Sequence, residues 1–345
     1  MLAVDNLNLE VKDGEFVCFL GPSGCGKTTT LRCISGLERQ DSGNIYIDDT
    51  VVNDLAPAER DIAMVFQFPV LYPGMTVKDN LAFPLEQRGL PKSEITKRVD
   101  DTLAILDLQH AGARDSSDLN TGERQRAAIG RAIVRNPKVL LLDEALTNLG
   151  TKLKVSMITE LKKLHEKLHQ TIVYVTHDQA EALMMADRIA VMDLGHLKQY
   201  DTPEKLYVNP VNLFVAGFVG SPPMNLIEAS IDKGKGNVNF AGSTMAETDY
   251  TKTFGRLDGV SDFVIGFRPE DVMVHRMCSN PTHLKGKVDV AEFTESGSML
   301  DLTIGTEVIK AMSDGSAAYD YGQQVCLEFK RTYAFNKESG ASIGG

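Results

Sequence analysis

The sequence predicts an α/β fold built on a parallel sheet, followed by a small all-β domain. Three observations predict it. Short apolar runs alternate with helical patterns through the first two-thirds of the chain, the signature of a parallel sheet covered by helices. The loop Gly21–Thr28 fits G-x-x-x-x-G-K-[ST] and joins the first strand to the first helix. After Asp193 the texture shifts to short, β-prone, Gly-interrupted segments.

Taken in order, 16–20 (FVCFL) is a continuous apolar run, as expected of a strand buried on both faces. Residues 28–35 read as a helix stopped by Gly36. Strand-like runs recur at 62–66, 139–142, 172–175 and 189–192, separated by helical patterns at 93–106, 123–135, 152–169 and 178–186. Two short helices are expected at 203–207 and 212–218 before the Gly220-Ser221-Pro222-Pro223 punctuation. Strands at 264–267, 287–293, 299–304 and 324–329 then predict a sandwich or barrel. The domain boundary is placed near Asp232, giving 1–231 and 232–345. The small polar tail 339–345 is expected to fray.

Composition limits the function classes. The chain has 345 residues, 43% apolar and 24% charged, with a net charge of −11. That acidity argues against a nucleic-acid partner, whose phosphates need a basic footprint. No apolar run reaches the ~18 residues of a membrane span, and the first residues lack a signal-peptide pattern. A cytoplasmic protein is expected, docked at a membrane surface if it meets one. Cys18, Cys25, Cys33, Cys278 and Cys326 are scattered, with no CxxC pair, and read as neither a disulfide framework nor a zinc site.

The phosphate loop is Gly21-Pro22-Ser23-Gly24-Cys25-Gly26-Lys27-Thr28, with Thr29 following in the helix. Its glycines let backbone N–H groups turn toward phosphate oxygens, and the helix N-terminus adds about half a positive charge at the same point. Lys27 is placed to reach the β- and γ-phosphates and the Thr28 hydroxyl to ligate Mg²⁺. Alone, such a loop specifies a nucleotide and no more. Asp143 and Glu144 end the apolar strand 139–142 at the edge where open α/β sheets bind ligands. Asp143 suits Mg²⁺, and Glu144 suits activation of water; either also suits a helix cap. By the same edge argument His177 points at the γ-phosphate, or simply opens a helix. Gln67, after 62–66, suits both metal-bound water and phosphate, or is an ordinary loop residue.

Together with the stretch Leu119-Asn120-Thr121-Gly122-Glu123-Arg124-Gln125-Arg126, these residues stand in the order of the nucleotide-binding subunits of ABC transporters, which the chain resembles. The segments 212–218, Ser221-Pro222-Pro223-Met224-Asn225 and Gly266-Phe267-Arg268-Pro269-Glu270 resemble the carbohydrate-importer branch. The resemblance covers nearly the whole chain. It implies a P-loop ABC ATPase domain with a helical signature subdomain at about 76–136, then an OB-type regulatory domain. It implies ATP and Mg²⁺ as cofactors, and a dimer in which ATP lies between one subunit's phosphate loop and the other's signature residues Asn120, Thr121, Gly122 and Glu123. It also implies membrane-spanning permease partners contacted by Val70–Thr76 (VLYPGMT), and, indirectly, an external solute-binding protein.

Three departures from the pattern stand out. The family signature Leu-Ser-Gly-Gly-Gln is Leu119-Asn120-Thr121-Gly122-Glu123 here, which brings a β-branched side chain and a negative charge to the start of a helix. The usual Asp of the following interface loop is Gly150, and Ala145 replaces a usual Pro. The family's adenine-stacking aromatic falls upstream of the segment matched by residues 3–11. The first two changes predict weak ATPase in a homodimer and better turnover with a partner carrying the unmodified signature, or a regulatory half with impaired hydrolysis, beside the importer reading; harmless drift within a tolerant motif is the alternative. A soluble ABC ATPase of DNA repair or translation is the other alternative; it usually carries a coiled-coil insertion or two cassettes, and this chain shows one cassette and no heptad run. Cys25 is either a reactive thiol that ATP protects or a small filler.

Overall fold

The computed structural model describes residues 2–232, 236–246, 261–277, 284–294, 297–313 and 318–343. The chain forms two compact units, Met1–Pro203 and Glu204–Gly345.

The first unit is a six-stranded sheet. Its strands are β1 (Phe16–Leu20), β4 (Ile62–Val65), β5 (Val139–Asp143), β6 (Thr171–Thr176), β7 (Arg188–Asp193) and β8 (His196–Asp201), in the order β4-β5-β6-β1-β7-β8. β4, β5, β6, β1 and β7 run parallel and β8 closes one edge antiparallel. β1 is buried along its whole length, as are Leu140, Leu141 and Leu142 of β5, because helices cover both faces. A small hairpin, β2 (Tyr46–Ile47) with β3 (Thr50–Val51), stands apart. Helix α1 (Lys27–Ser35) follows β1 directly and ends at Gly36, whose φ of 77° allows a left-handed cap that bonds back to Arg32 and Cys33.

Helices α2 (Val77–Glu86), α3 (Lys92–Ile105) and α4 (Thr121–Ile133) pack on one another. The patterns at 93–106 and 123–135 fall on α3 and α4. Helix α2 escapes the sequence reading because Pro84 lies inside it. It forms regardless because Thr76 and Asp79 build a reciprocal capping box at its start. Helices α5 (Thr151–Leu168) and α6 (Gln179–Met185) flank β6 in sequence, close to the patterns at 152–169 and 178–186.

Helix α7 (Pro203–Val208) begins at the last residue of the first unit, and the rest of it lies in the second unit with α8 (Leu213–Phe218), whereas the sequence places both helices in the first domain. Their anchor is Arg268. Its buried guanidinium donates to the carbonyls of Tyr207 and Val219 and stacks 4.0 Å over the Tyr207 ring. The β part is two antiparallel sheets. One is β11-β10-β9-β12-β18: β9 (Asn225–Asp232), β10 (Asn237–Phe240), β11 (Ser243–Ala246), β12 (Asp262–Phe267) and β18 (Tyr333–Asn336). The other is β13-β17-β14-β15-β16: β13 (Val272–His275), β14 (Leu284–Thr294), β15 (Gly297–Ile304), β16 (Glu307–Ser313) and β17 (Gln324–Phe329). A single core holding Ile227, Phe263, Val288, Leu300 and Val325 joins them. The expected all-β domain is therefore present.

The tail differs from expectation over 339–343: Ser342 donates to Val211, Ile343 to Ala334, and Leu213 to Gly340, so backbone pairing ties these residues down; 344 and 345 lie outside the described residues. Cys18, Cys25 and Cys33 are free thiols and Cys326 is disulfide-bonded, so the unbridged reading of the cysteines holds only for those three; Cys278 lies outside the described residues. Among the described residues no helix is long and apolar enough to cross a membrane.

Candidate nucleotide site

The site is assembled at the C-terminal edge of the parallel strands β1, β4, β5 and β6. β1 delivers the phosphate loop. A Cβ on Gly21 would lie 2.2 Å from the Met192 carbonyl oxygen, so only glycine lets the loop leave the sheet there. Gly26 sits at φ 103° as the residue before α1, a backbone turn that aims the first helical N–H groups outward. Pro22 is half-buried, Ser23 and Gly24 are exposed, and Thr29 is half-buried in the first turn of α1. The Lys27 ammonium donates to the carbonyls of Gly21 and Pro22, both at 2.8 Å, and is itself buried.

β5 delivers Asp143, which accepts from the Thr28 hydroxyl at 3.1 Å. Burial pushes the Asp143 carboxyl above its usual range; the Thr28 bond, Arg32 and Lys27 pull the other way, and Glu144 adds to the rise. A carboxylate so placed gains from a cation, and the Thr28 hydroxyl beside it adds a second hard oxygen, the donor chemistry that Mg²⁺ prefers. The next residue, Glu144, has φ 47° and donates its N–H to Val175 of β6. This left-handed kink turns its side chain off the strand line. There its two oxygens meet Gln67 Nε2 at 3.4 Å and His177 Nδ1 at 3.3 Å. Three side chains from the ends of β4, β5 and β6 thus converge, although 77 residues separate Gln67 from Glu144.

Asn120 and Glu123 stand at the start of α4, away in sequence from these groups. They form a capping box: Asn120 Oδ1 accepts from the Glu123 N–H at 2.9 Å, and Glu123 Oε2 accepts from the Asn120 N–H at 3.0 Å. Thr121 is exposed and Gly122 buried against Leu153. The sequence reading brought a negative charge toward a phosphate through Glu123. The side chain instead lies buried, with Oε1 on Arg114 Nη1 at 3.0 Å and His110 Nε2 at 3.1 Å. The Asn120 N–H, against the opposing effect of burial and with help from His110 and Arg114, holds its carboxyl below the usual range. His110 and Arg114 were missed because nothing in their spacing marks them as partners of a residue beyond a turn. Cys25 is likewise buried, in the core with Phe19 and Leu31, and its Sγ lies 3.6 Å from the Lys27 ammonium.

Also missed was a buried polar cluster under His177. Glu181, fully buried, accepts from the Tyr174 and Thr176 hydroxyls at 2.5 Å each and lies 2.9 Å from the Lys154 ammonium. The lone signal for it was Asp178, an aspartate at a helix start.

Residues 4–147 match the family described as ABC transporter. The trehalose/maltose import ATP-binding protein MalK of Thermococcus litoralis is 44% identical over 355 residues, covering 99% of this chain and 95% of that protein. The oligosaccharides import ATP-binding protein MsmX of Bacillus subtilis is 43% identical over 347 residues, covering 99% and 95%. Among solved structures, cbiO1 of Clostridium perfringens, part of the ABC transporter complex cbiONQ, superposes with a TM-score of 0.57 at 28% identity over 60% of this chain and 84% of that one. The dimeric cassette MJ0796 bound to ADP and Pi gives 0.52 at 34% identity over 58% and 90%. With the phosphate loop, the strand-end carboxylates and these relatives in agreement, the chain belongs to the ATP-binding proteins of ABC transporters.

Proposed function

We propose that this protein is the ATP-hydrolysing subunit of an importer for a sugar or sugar-like solute, working as a dimer against membrane-spanning permease subunits at the cytoplasmic face. The observation that carries the chemistry is the meeting of Gln67, Glu144 and His177 beside the Thr28–Asp143 pair. The sugar class is supported by the relatives that import trehalose/maltose and oligosaccharides. An external solute-binding protein acts on the permease side.

In this reading the N–H groups of Gly24 to Thr28 and the Lys27 ammonium bind the triphosphate. Thr29 adds a contact in the first helical turn. Thr28, Asp143 and Gln67 would hold Mg²⁺, which would neutralise charge on the phosphates. Glu144 orients and polarises the attacking water as general base, and His177 holds Glu144 in place while facing the γ-phosphate. Asn120, Thr121, Gly122 and the N–H of Glu123 present the start of α4 to the nucleotide of the partner subunit. Residues up to about 231 serve as the ATP-binding domain, with 76–136 as its helical part, and 232–345 as the OB-type regulatory domain.

Glu144→Gln tests this reading. Turnover is expected to fall by about 10²–10⁴-fold, while Mg·ATP binding persists and the dimer becomes easier to trap. ATP binding lost together with turnover, or turnover unchanged, would remove Glu144 from the role of base.

A further inference from the structure

Lys154 lies one helical turn beyond Gly150, at the start of α5, and its backbone N–H bonds the Gly150 carbonyl. Its ammonium reaches 3.0 Å to Asp178 Oδ2 and 2.9 Å to Glu181 Oε1. Those two carboxylates lie one and four residues after His177, at the start of α6 (Gln179–Met185). Asp178 caps α6 through the N–H groups of Ala180 and Glu181 at 2.9 and 3.3 Å, and its own N–H donates to Thr176 Oγ1 at 3.0 Å. Glu181 accepts hydrogen bonds from the Tyr174 and Thr176 hydroxyls, both on β6. The residues on either side of His177 are therefore fixed, and the fixing converges on one ammonium from α5.

We infer that Lys154 is a positioning residue for His177, tying the loop that ends at Gly150 to the histidine so that both hold one geometry against Glu144. The inference rests on the reading of His177 given above. A cation is needed at this point. Glu181 is buried at 0% exposure, and a carboxylate there without a countercharge is strongly disfavoured. Lys154 itself keeps its proton: burial acts against the charge, but Glu181 and Asp178 more than offset it and raise the ammonium above its usual range. Because a shift of about 1 Å in a catalytic group costs up to ~10²-fold, slack in this clamp reads out in turnover ahead of binding.

The test uses the full chain with its membrane partners. The double variant Lys154→Met with Glu181→Gln removes both charges together and leaves no lone ion in the interior. It is expected to melt near the parent, to keep KM for ATP within about twofold, and to lose about tenfold or more in kcat. Lys154→Arg, which preserves charge and reach, is expected to retain most of kcat. Should the double variant not fold, Asp178→Asn cuts the more exposed arm while Glu181 stays paired, and it is expected to lower kcat severalfold at constant KM. A folded double variant, or Asp178→Asn, with kcat within about twofold of the parent overturns the positioning role. His177→Ala separates the two levels. If it turns over normally, the reading of His177 fails and the clamp has no catalytic object. If it is inactive while the double variant is unimpaired, only the role of Lys154 fails.

Discussion

Glu144 shows how one backbone angle makes a site. On a regular strand its side chain would alternate to the face opposite Asp143; with φ 47° it leaves the ladder and meets His177 and Gln67 instead. Glu123 shows the reverse, a residue withdrawn from the site by its partners. Its carboxyl titrates below the ordinary range in the folded protein, so the stability it lends is present above the unfolded value of about 4.3. That contribution is lost as pH falls through the lower folded value. Glu123→Gln is therefore expected to be less stable than the parent near neutral pH, with the gap closing below about pH 4. Paired urea melts across pH measure it, and a gap independent of pH would show that the charge contributes nothing.

Among the elements, the loop between β4 and α2 exposes several large apolar side chains, Phe66, Phe68, Val70 and Tyr72. Phe68 is 68% exposed and Val70 56%. Its backbone is nevertheless held from beneath by Asn80, fully buried, which accepts from the Tyr72 N–H at 2.7 Å and donates to the carbonyls of Tyr72, Met75 and Thr76. An apolar loop on a rigid base suits the permease contact proposed above. Asn80→Ala leaves these buried groups unpaired and is expected to cost about 1–3 kcal/mol. It should also weaken stimulation of ATPase by the membrane subunits beyond any loss of ATP binding. At the start of α5, Gly150 caps the helix without a side chain, and a Cβ there meets nothing within 4 Å. Gly150→Asp is expected to stabilise the protein by a few tenths of a kcal/mol through a side-chain cap, read as a small rise in Tm.

At the scale of the whole molecule, in the function proposed above the altered signature bears on what this chain offers a partner subunit, whereas the phosphate loop, Asp143, Glu144 and His177 belong to its own site. The Glu123 side chain is buried within its capping box, while Thr121 is exposed at the first turn of α4, so the steric change at Thr121 is the one proposed to matter. The triple variant Asn120→Ser, Thr121→Gly, Glu123→Gln is thus expected to raise homodimer turnover by relieving Thr121. Thr121→Gly alone should give most of the gain. Steady-state ATPase of the two variants side by side decides it, and equal rates in parent and both variants would clear the signature of any defect.

What the sequence determined by itself was local or periodic. Apolar runs such as 16–20 and 139–142 had to be strands buried on two faces. A Gly-rich loop ending in Lys27-Thr28 between strand and helix pointed to a phosphate-binding loop. Carboxylates at a strand end had to lie on the ligand edge. Tertiary structure decided everything that depends on long-range pairing. It brought Gln67 and His177 to Glu144, turned Glu123 inward onto Arg114, drew α7 and α8 to Arg268, and set Lys154 beneath His177. Neither spacing nor propensity encodes such contacts, because each comes from strands or helices far apart in the chain that the folded core alone brings within a few ångströms.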